Sequence, residues 1–223
     1  MPEHADTNVW SAVPLHVSDD DPTERASLEA VTEWDGGFSY FARPEEDGMR
    51  GSHALTTDSG VWLVDPVDAD GLGDRLNESG GLAGVVVIHD RHTRDAEAIA
   101  ARHGVAVHVP DWMESTREKL DGNPEPLEAE LPGTNYEIRR LVDTDEWEEA
   151  LLVDDAGETL VVVETLGTLP GFCEDDDDIG IHPALDEAPE GLADYDPERI
   201  LVGHGESIYE AGATKLAAAV DAD

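Results

Sequence analysis

Apolar residues along the chain come in short runs broken by turn residues, the rhythm of strands and short helices. Segments 9–17, 28–34 and 38–42 are separated by Asp19-Asp20-Asp21-Pro22 and Asp35-Gly36-Gly37, which predicts an opening series of antiparallel strands. Segments 54–56 and 61–64 flank Asp58-Ser59-Gly60, a hairpin whose second strand stops at Asp65 and Pro66. In segment 69–79, Leu72 and Leu76 lie one helical turn apart ahead of Gly80-Gly81, so a short helix ends there. Segment 85–88 is wholly apolar and is followed by a polar stretch, 89–95. A helix then runs through Ala96, Ile99 and Ala100 to His103-Gly104, and 105–109 is another apolar strand. Strand, turn, helix and strand form the βαβ unit of a layered α/β fold.

Segment 124–132 is a Pro- and Glu-rich connection. Beyond it, 136–142, 147–153 and 159–163 predict a second antiparallel set. Segment 183–192 is expected as a short helix, 200–202 as a strand and 208–220 as a terminal helix. The acidic segments 1–21 and 174–180 are expected to be mobile flanks of a single domain spanning 1–223.

Charge changes the picture. Thirteen Lys and Arg stand against 53 Asp and Glu, a formal net charge of −40. Nucleic acid and anionic membrane are excluded as partners, because both require a positive face. Only Lys119 and Lys215 are lysines, and acidic excess with little lysine resembles the surface of proteins from halophilic archaea. There the Debye length shrinks to about 3 Å at 1 M salt and self-repulsion fades. The lone Cys173 forms no internal disulfide, and no apolar run reaches the roughly 18 residues of a membrane span. A soluble cytoplasmic protein is expected, with its oligomeric state left open.

Chemistry concentrates after strand ends, where a strand fixes a side chain and a loop opens to solvent. Asp65 follows 61–64, the stretch from His89 to Asp95 follows 85–88, Glu164 follows 160–163, and Gly203-His204-Gly205 follows 200–202. Neutral imidazoles with a carboxylate are usual ligands of zinc or iron. His103 and His108 flank a βαβ turn and read as structural, His182 follows the acidic loop, and Cys173 has no histidine at helical spacing.

The order of these features resembles the metallo-β-lactamase superfamily from about Ser52 onward. Val64-Asp65-Pro66 matches its hairpin turn, and the stretch from Ile88 to Arg94 matches its Thr-His-x-His-x-Asp-His motif. Val163-Glu164-Thr165-Leu166 matches its strand ending in Gly-Asp, and Gly203-His204-Gly205 its late Gly-His-Gly. The resemblance implies an αββα four-layer sandwich and a metal-dependent hydrolase site. On its register only His89, Glu164 and His204 stand at ligand positions. Arg91, Thr93 and Arg94 replace three ligands, and no histidine occurs between Arg139 and Leu152. The implied zinc site is therefore degenerate: at most one zinc or iron ion, or none.

Three readings stay open. His89, His92 and His204 hold one metal ion, with Asp65, Asp95 and Glu164 as catalytic partners of His89 and His204. Alternatively Arg91 and Arg94 form a metal-free ion network with Asp65, Asp95 or Glu164. In the third, Arg91 and Arg94, with His53 near the same mouth, bind a small anionic ligand without catalysis. Whichever holds, the charge of −40 carries its own test. Transfer from molar KCl into dilute buffer is expected to lower the melting temperature sharply, because unscreened carboxylates repel one another. A melting temperature that does not move would contradict the halophile assignment.

Overall fold

The computed structural model describes residues 26–28, 30–173 and 178–221. The strand expected at 9–17 and most of the two acidic flanks lie outside the described residues. The chain forms β1 (Ala26–Ser27), β2 (Ala30–Trp34), β3 (Gly37–Phe41), β4 (Gly51–Thr57), β5 (Gly60–Val64), β6 (Ala69–Asp70), α1 (Leu72–Glu78), β7 (Leu82–Val86), α2 (Ala96–His103), β8 (Val107–Pro110), α3 (Glu114–Glu118) and β9 (Glu125–Leu127). It continues through β10 (Tyr136–Thr144), β11 (Trp147–Asp154), β12 (Thr159–Val161), β13 (Leu166–Gly167), β14 (Gly180–Ile181), β15 (Arg199–Leu201) and α4 (Gly212–Asp221).

Two mixed sheets face one another. The larger has the order β2-β3-β4-β5-β7-β8-β9, antiparallel through β5 and parallel beyond it. The smaller has the order β10-β11-β12-β15, with β15 parallel to β12. Period-two alternation places the layers. Ala150, Leu152, Val161, Val163 and Leu201 point into the apolar core shared with the first sheet. Leu151, Val153, Leu160, Val162, Ile200 and Val202 point the other way, against Leu216 of α4. In the larger sheet β5 is buried along its whole length, and the α1 residues Leu72 and Leu76 belong to the same core. Helices lie outside both sheets, and the architecture is the expected αββα sandwich. Among the described residues no helix is long and apolar enough to cross a membrane.

Three segments differ from the sequence expectation. Residues 183–191 form no helix, since Pro189 forces Ala188 out of the helical region and Gly191 has φ 85°; only a 3₁₀ turn at Leu192–Asp194 follows. The terminal helix begins at Gly212, because Ile208 pairs with Ile200 and Ala211 sits at φ 56°. The connection at 124–132 contains β9, which extends the first sheet beside β8.

His53, expected near the mouth, lies instead between the sheets. Its Nδ1 accepts the Ser39 hydroxyl (2.9 Å) and its Nε2–H donates to the Val202 carbonyl (3.0 Å), so both ring nitrogens are engaged within the fold. Burial pushes its pKa down to about 3, against the Val202 hydrogen bond, and Arg94 adds to the depression. The unfolded chain therefore takes up a proton near pH 6.5 that the folded chain refuses. This contribution is complete above pH 6.5 and is lost as pH falls below it, by about 1.4 kcal/mol per unit. His53→Gln keeps an N–H donor but cannot titrate. The stability advantage of the wild type over His53→Gln should shrink between pH 7 and 5 in denaturant titrations, and a constant gap would exclude this linkage.

Candidate metal centre

The four strand-end segments converge on one edge of the sandwich. Asp65, at φ 44°, follows β5 with its carboxylate fully buried. Ile88 N–H donates to its Oδ1 (2.9 Å) and His92 Nδ1–H to its Oδ2 (3.0 Å). Burial raises the Asp65 carboxyl to about 7, with Arg94 and the Ile88 amide acting against it. Across the groove, His204 Nδ1–H donates to the Gly48 carbonyl (2.7 Å).

The glycines beside His204 are needed. A Cβ on Gly203 would lie 2.2 Å from the Val163 carbonyl oxygen, and Gly205 has φ 87° with its space closed by the Thr168 hydroxyl. Without them the loop after β15 could not approach Glu164.

With both Nδ1 atoms acting as donors, the two Nε2 atoms carry lone pairs. They face one another at 3.3 Å and face Glu164 Oε2 at 3.1 Å from His92 and 3.0 Å from His204. Glu164 Oε2 is buried and has no well-directed hydrogen bond. Tetrahedral ligands at zinc–nitrogen distances of about 2.0–2.1 Å are about 3.3 Å apart, so these separations are those of a ligand set. Burial pushes the Glu164 carboxyl up, and without a cation a proton on His204 or His92 Nε2 would instead hold it far below the usual carboxylate range. Burial and Arg94 lower His92 to about 3, so it is neutral at physiological pH.

His89 completes the cluster. Ligand atoms of His89, His92 and Glu164 all lie within 4.8 Å of one another. The His89 Nδ1 accepts the Arg91 amide (3.3 Å), and its buried Nε2 has no hydrogen-bond partner, Asp90 Oδ1 standing 3.4 Å away. Burial, followed by His92, holds its pKa well below 6.5. A divalent cation fits the His92, His204 and Glu164 donors: an orphaned buried carboxylate oxygen, and outer acceptors that turn the Nε2 atoms of His92 and His204 toward it. His89, whose Nδ1 accepts the Arg91 amide, would join only in its other tautomer.

The remaining predicted residues lie around this point. Arg94 lies half-buried beneath it at φ 40°. Its Nη1 donates to the carbonyls of Gly51 (2.6 Å) and Asp65 (2.8 Å), and its Nη2 lies 3.4 Å from both the Gly203 carbonyl and His92 Nε2. It serves the fold from inside, unlike the ligand-facing arginine expected from the motif. Asp95 precedes α2 and accepts the Asp68 amide (2.8 Å), directed toward that loop. Arg91 lies at the rim, 48% exposed.

Two further residues stand beside Glu164, one of them not singled out by sequence. Glu149, in the stretch without a histidine, is fully buried behind Glu164. Its carboxylate accepts the Glu164 amide (2.8 Å), the Thr165 amide (3.0 and 3.1 Å), the Thr165 hydroxyl (2.6 Å) and the Trp147 indole N–H (3.0 Å). Burial lifts it to about 7 against these donors. His182, a minor sequence candidate, stands between the rings of Trp147 and Phe172 with Nε2 3.6 Å from Glu164 Oε1. The sequence signal for Glu149 was only a charged residue within an apolar strand, on the same side as Leu151 and Val153.

Two face-to-face sheets, outer helices and a His/Glu cluster at the strand ends define a metallo-β-lactamase fold. Among solved structures, the chain is similar to the DIM-1 metallo-β-lactamase exposed to ceftazidime (TM-score 0.59, 14% identity, covering 89% of this chain and 99% of that one). TMB-1 gives a TM-score of 0.59 at 14% identity (88% and 98% covered), and a metallo-β-lactamase from Hirschia baltica gives 0.57 at 12% (87% and 98% covered). At these identities the likeness carries the fold. No family model and no curated protein matches the sequence.

Glu149→Leu would strand the Trp147, Glu164 and Thr165 donors in a dry interior. It is expected to destabilise the fold by at least about 3 kcal/mol in urea titrations at fixed salt, with a smaller loss for Glu149→Gln. An unchanged midpoint for the leucine variant would remove Glu149 from the framework of the site.

Proposed function

We propose that the protein is a mononuclear metal-dependent hydrolase, working in the cytoplasm of a halophile with a zinc site reduced relative to the family it resembles. The observation that carries this reading is the convergence of His92 Nε2, His204 Nε2 and Glu164 Oε2 within 3.0–3.3 Å of one another. His92, His204 and Glu164 would hold one zinc or iron ion, with His89 beside them. When bound, such an ion supplies acidified water and Lewis-acid polarisation of a carbonyl or phosphoryl oxygen.

The chain's own residues do the rest. Asp65 accepts the His92 Nδ1 proton and fixes that ring, as the Gly48 carbonyl fixes His204. Arg94 supplies a permanent positive charge beside His92, which disfavours a second cation close by. Trp147, Phe172 and His182 wall one side of Glu164 with aromatic surface and limit its access to water. The hydrolysis of esters, thioesters, lactams or phosphoesters across the fold's relatives is analogy, since fold does not fix function.

Protein purified in molar salt without chelator should carry about one equivalent of zinc or iron by elemental analysis, lost in His92→Ala and His204→Ala together with any hydrolysis. Asp65→Asn should weaken retention by roughly 10- to 100-fold, as loss of an outer hydrogen bond does at other metal sites. Two stoichiometric ions would contradict the mononuclear reading. A metal-free protein with intact fold would favour the ion network or the anion-binding module.

A further inference from the structure

In a chain with 53 acidic side chains, arginines find close partners easily. Arg102 grips Asp68 with two hydrogen bonds of 2.6 and 2.7 Å, and Arg50 grips Glu46 with two of 2.8 Å. Arg91 does not. Among the described residues its guanidinium makes one hydrogen bond at the limit of length, 3.5 Å to the Glu146 carbonyl, and approaches Glu164 Oε1 no closer than 3.7 Å. It is nevertheless held in place, with its guanidinium 4.9 Å from the centre of the buried Trp147 ring. A fixed, half-exposed fork of donors with unused capacity therefore stands at the rim of the Glu164 centre.

We infer that Arg91, stacked on Trp147, is the recognition group for a carboxylate carried by the substrate. The inference rests on the proposed hydrolase for the word substrate and deepens it by naming the class. The planar guanidinium matches the two oxygens of a carboxylate, and stacking on an aromatic face leaves its edge N–H groups available. Charge selects the carboxylate over a phosphate. The Glu164 carboxylate lies alongside and the whole molecule repels anions, so a single negative charge is tolerated better than two. Arg94 cannot share this work, because its donors already serve the Gly51 and Asp65 carbonyls in the interior.

The test is calorimetric binding of benzoate, benzamide and phenyl phosphate, at constant ionic strength, to the intact protein and to Arg91→Gln and Arg91→Lys. Benzoate should bind the wild type more tightly than phenyl phosphate does. It should weaken about tenfold or more with Arg91→Gln and by less with Arg91→Lys, which keeps the charge without the fork. Benzamide, with the same ring and no charge, should bind wild type and Arg91→Gln alike. Equal benzoate binding in both proteins, no benzoate binding by the wild type, or parallel loss of benzoate and benzamide would overturn the assignment. Tighter phenyl phosphate would overturn the choice of carboxylate. The readout needs no turnover: Arg91-dependent benzoate binding in a protein without hydrolytic activity would sink the hydrolase and leave the carboxylate subsite standing.

Discussion

The site depends on one desolvated cation. Arg94 brings a guanidinium into the interior, where removing a charge from water costs several kcal/mol unless hydrogen bonds replace the solvent. Its partners are backbone carbonyls at the start of β4, just past β5 and just past β15, so a single side chain gathers strand ends from both sheets. Asp65 and Arg94 both sit at positive φ, at 44° and 40°, conformations that side chains other than glycine adopt only when the surroundings hold them. Burial lowers Arg94 to about 10, with Asp65 acting against that fall, and it stays charged at any physiological pH. The carboxylates of Asp65 and Glu164 are tolerable in the interior because that charge is there.

What could be read from sequence followed from how local each signal was. The apolar run at 85–88, the hairpin before Asp65 and the glycines around His204 each specify geometry within a few residues, and the layers and the convergence of His89, His92, Glu164 and His204 follow from them. Arg94 looked like a ligand-facing residue because spacing does not say which way a side chain turns at positive φ. Asp95 lay at the start of a helix and its carboxylate was claimed by the Asp68 amide across a loop, a contact no periodicity encodes. Glu149 escaped notice for the opposite reason. Alternation places it on the side of Leu151 and Val153, but its meaning lies in donors from Glu164 and Thr165, fifteen and sixteen residues away. His53 was misleading because a histidine saturated by Ser39 and Val202 reads in sequence like one awaiting a ligand.

Surface and interior obey different electrostatics. The charge of −40 is spread over solvent-facing carboxylates, whose interactions salt screens within a few ångström, and it reports on the surroundings the protein tolerates. Inside, where screening fails, negative charge is balanced locally. Asp65 meets the His92 N–H and the field of Arg94, and Glu164 meets the more distant Arg91. Composition therefore speaks to the surface and says nothing about the reaction.

Glu149 lies in the stretch between Arg139 and Leu152 that holds no histidine. Its buried carboxylate turns its oxygens to the amides of Glu164 and Thr165, so β11 contributes to the site by fixing the backbone of the Glu164 turn. Glu164 is one methylene longer than the aspartate of the related motif, and from that fixed turn its Oε2 lies between His92 and His204. The backbone geometry common to the fold is thus separable from the donors that converge here, which are set by His92, His204 and Glu164. At 12–14% identity, conserved architecture is compatible with chemistry that must be argued from these side chains alone.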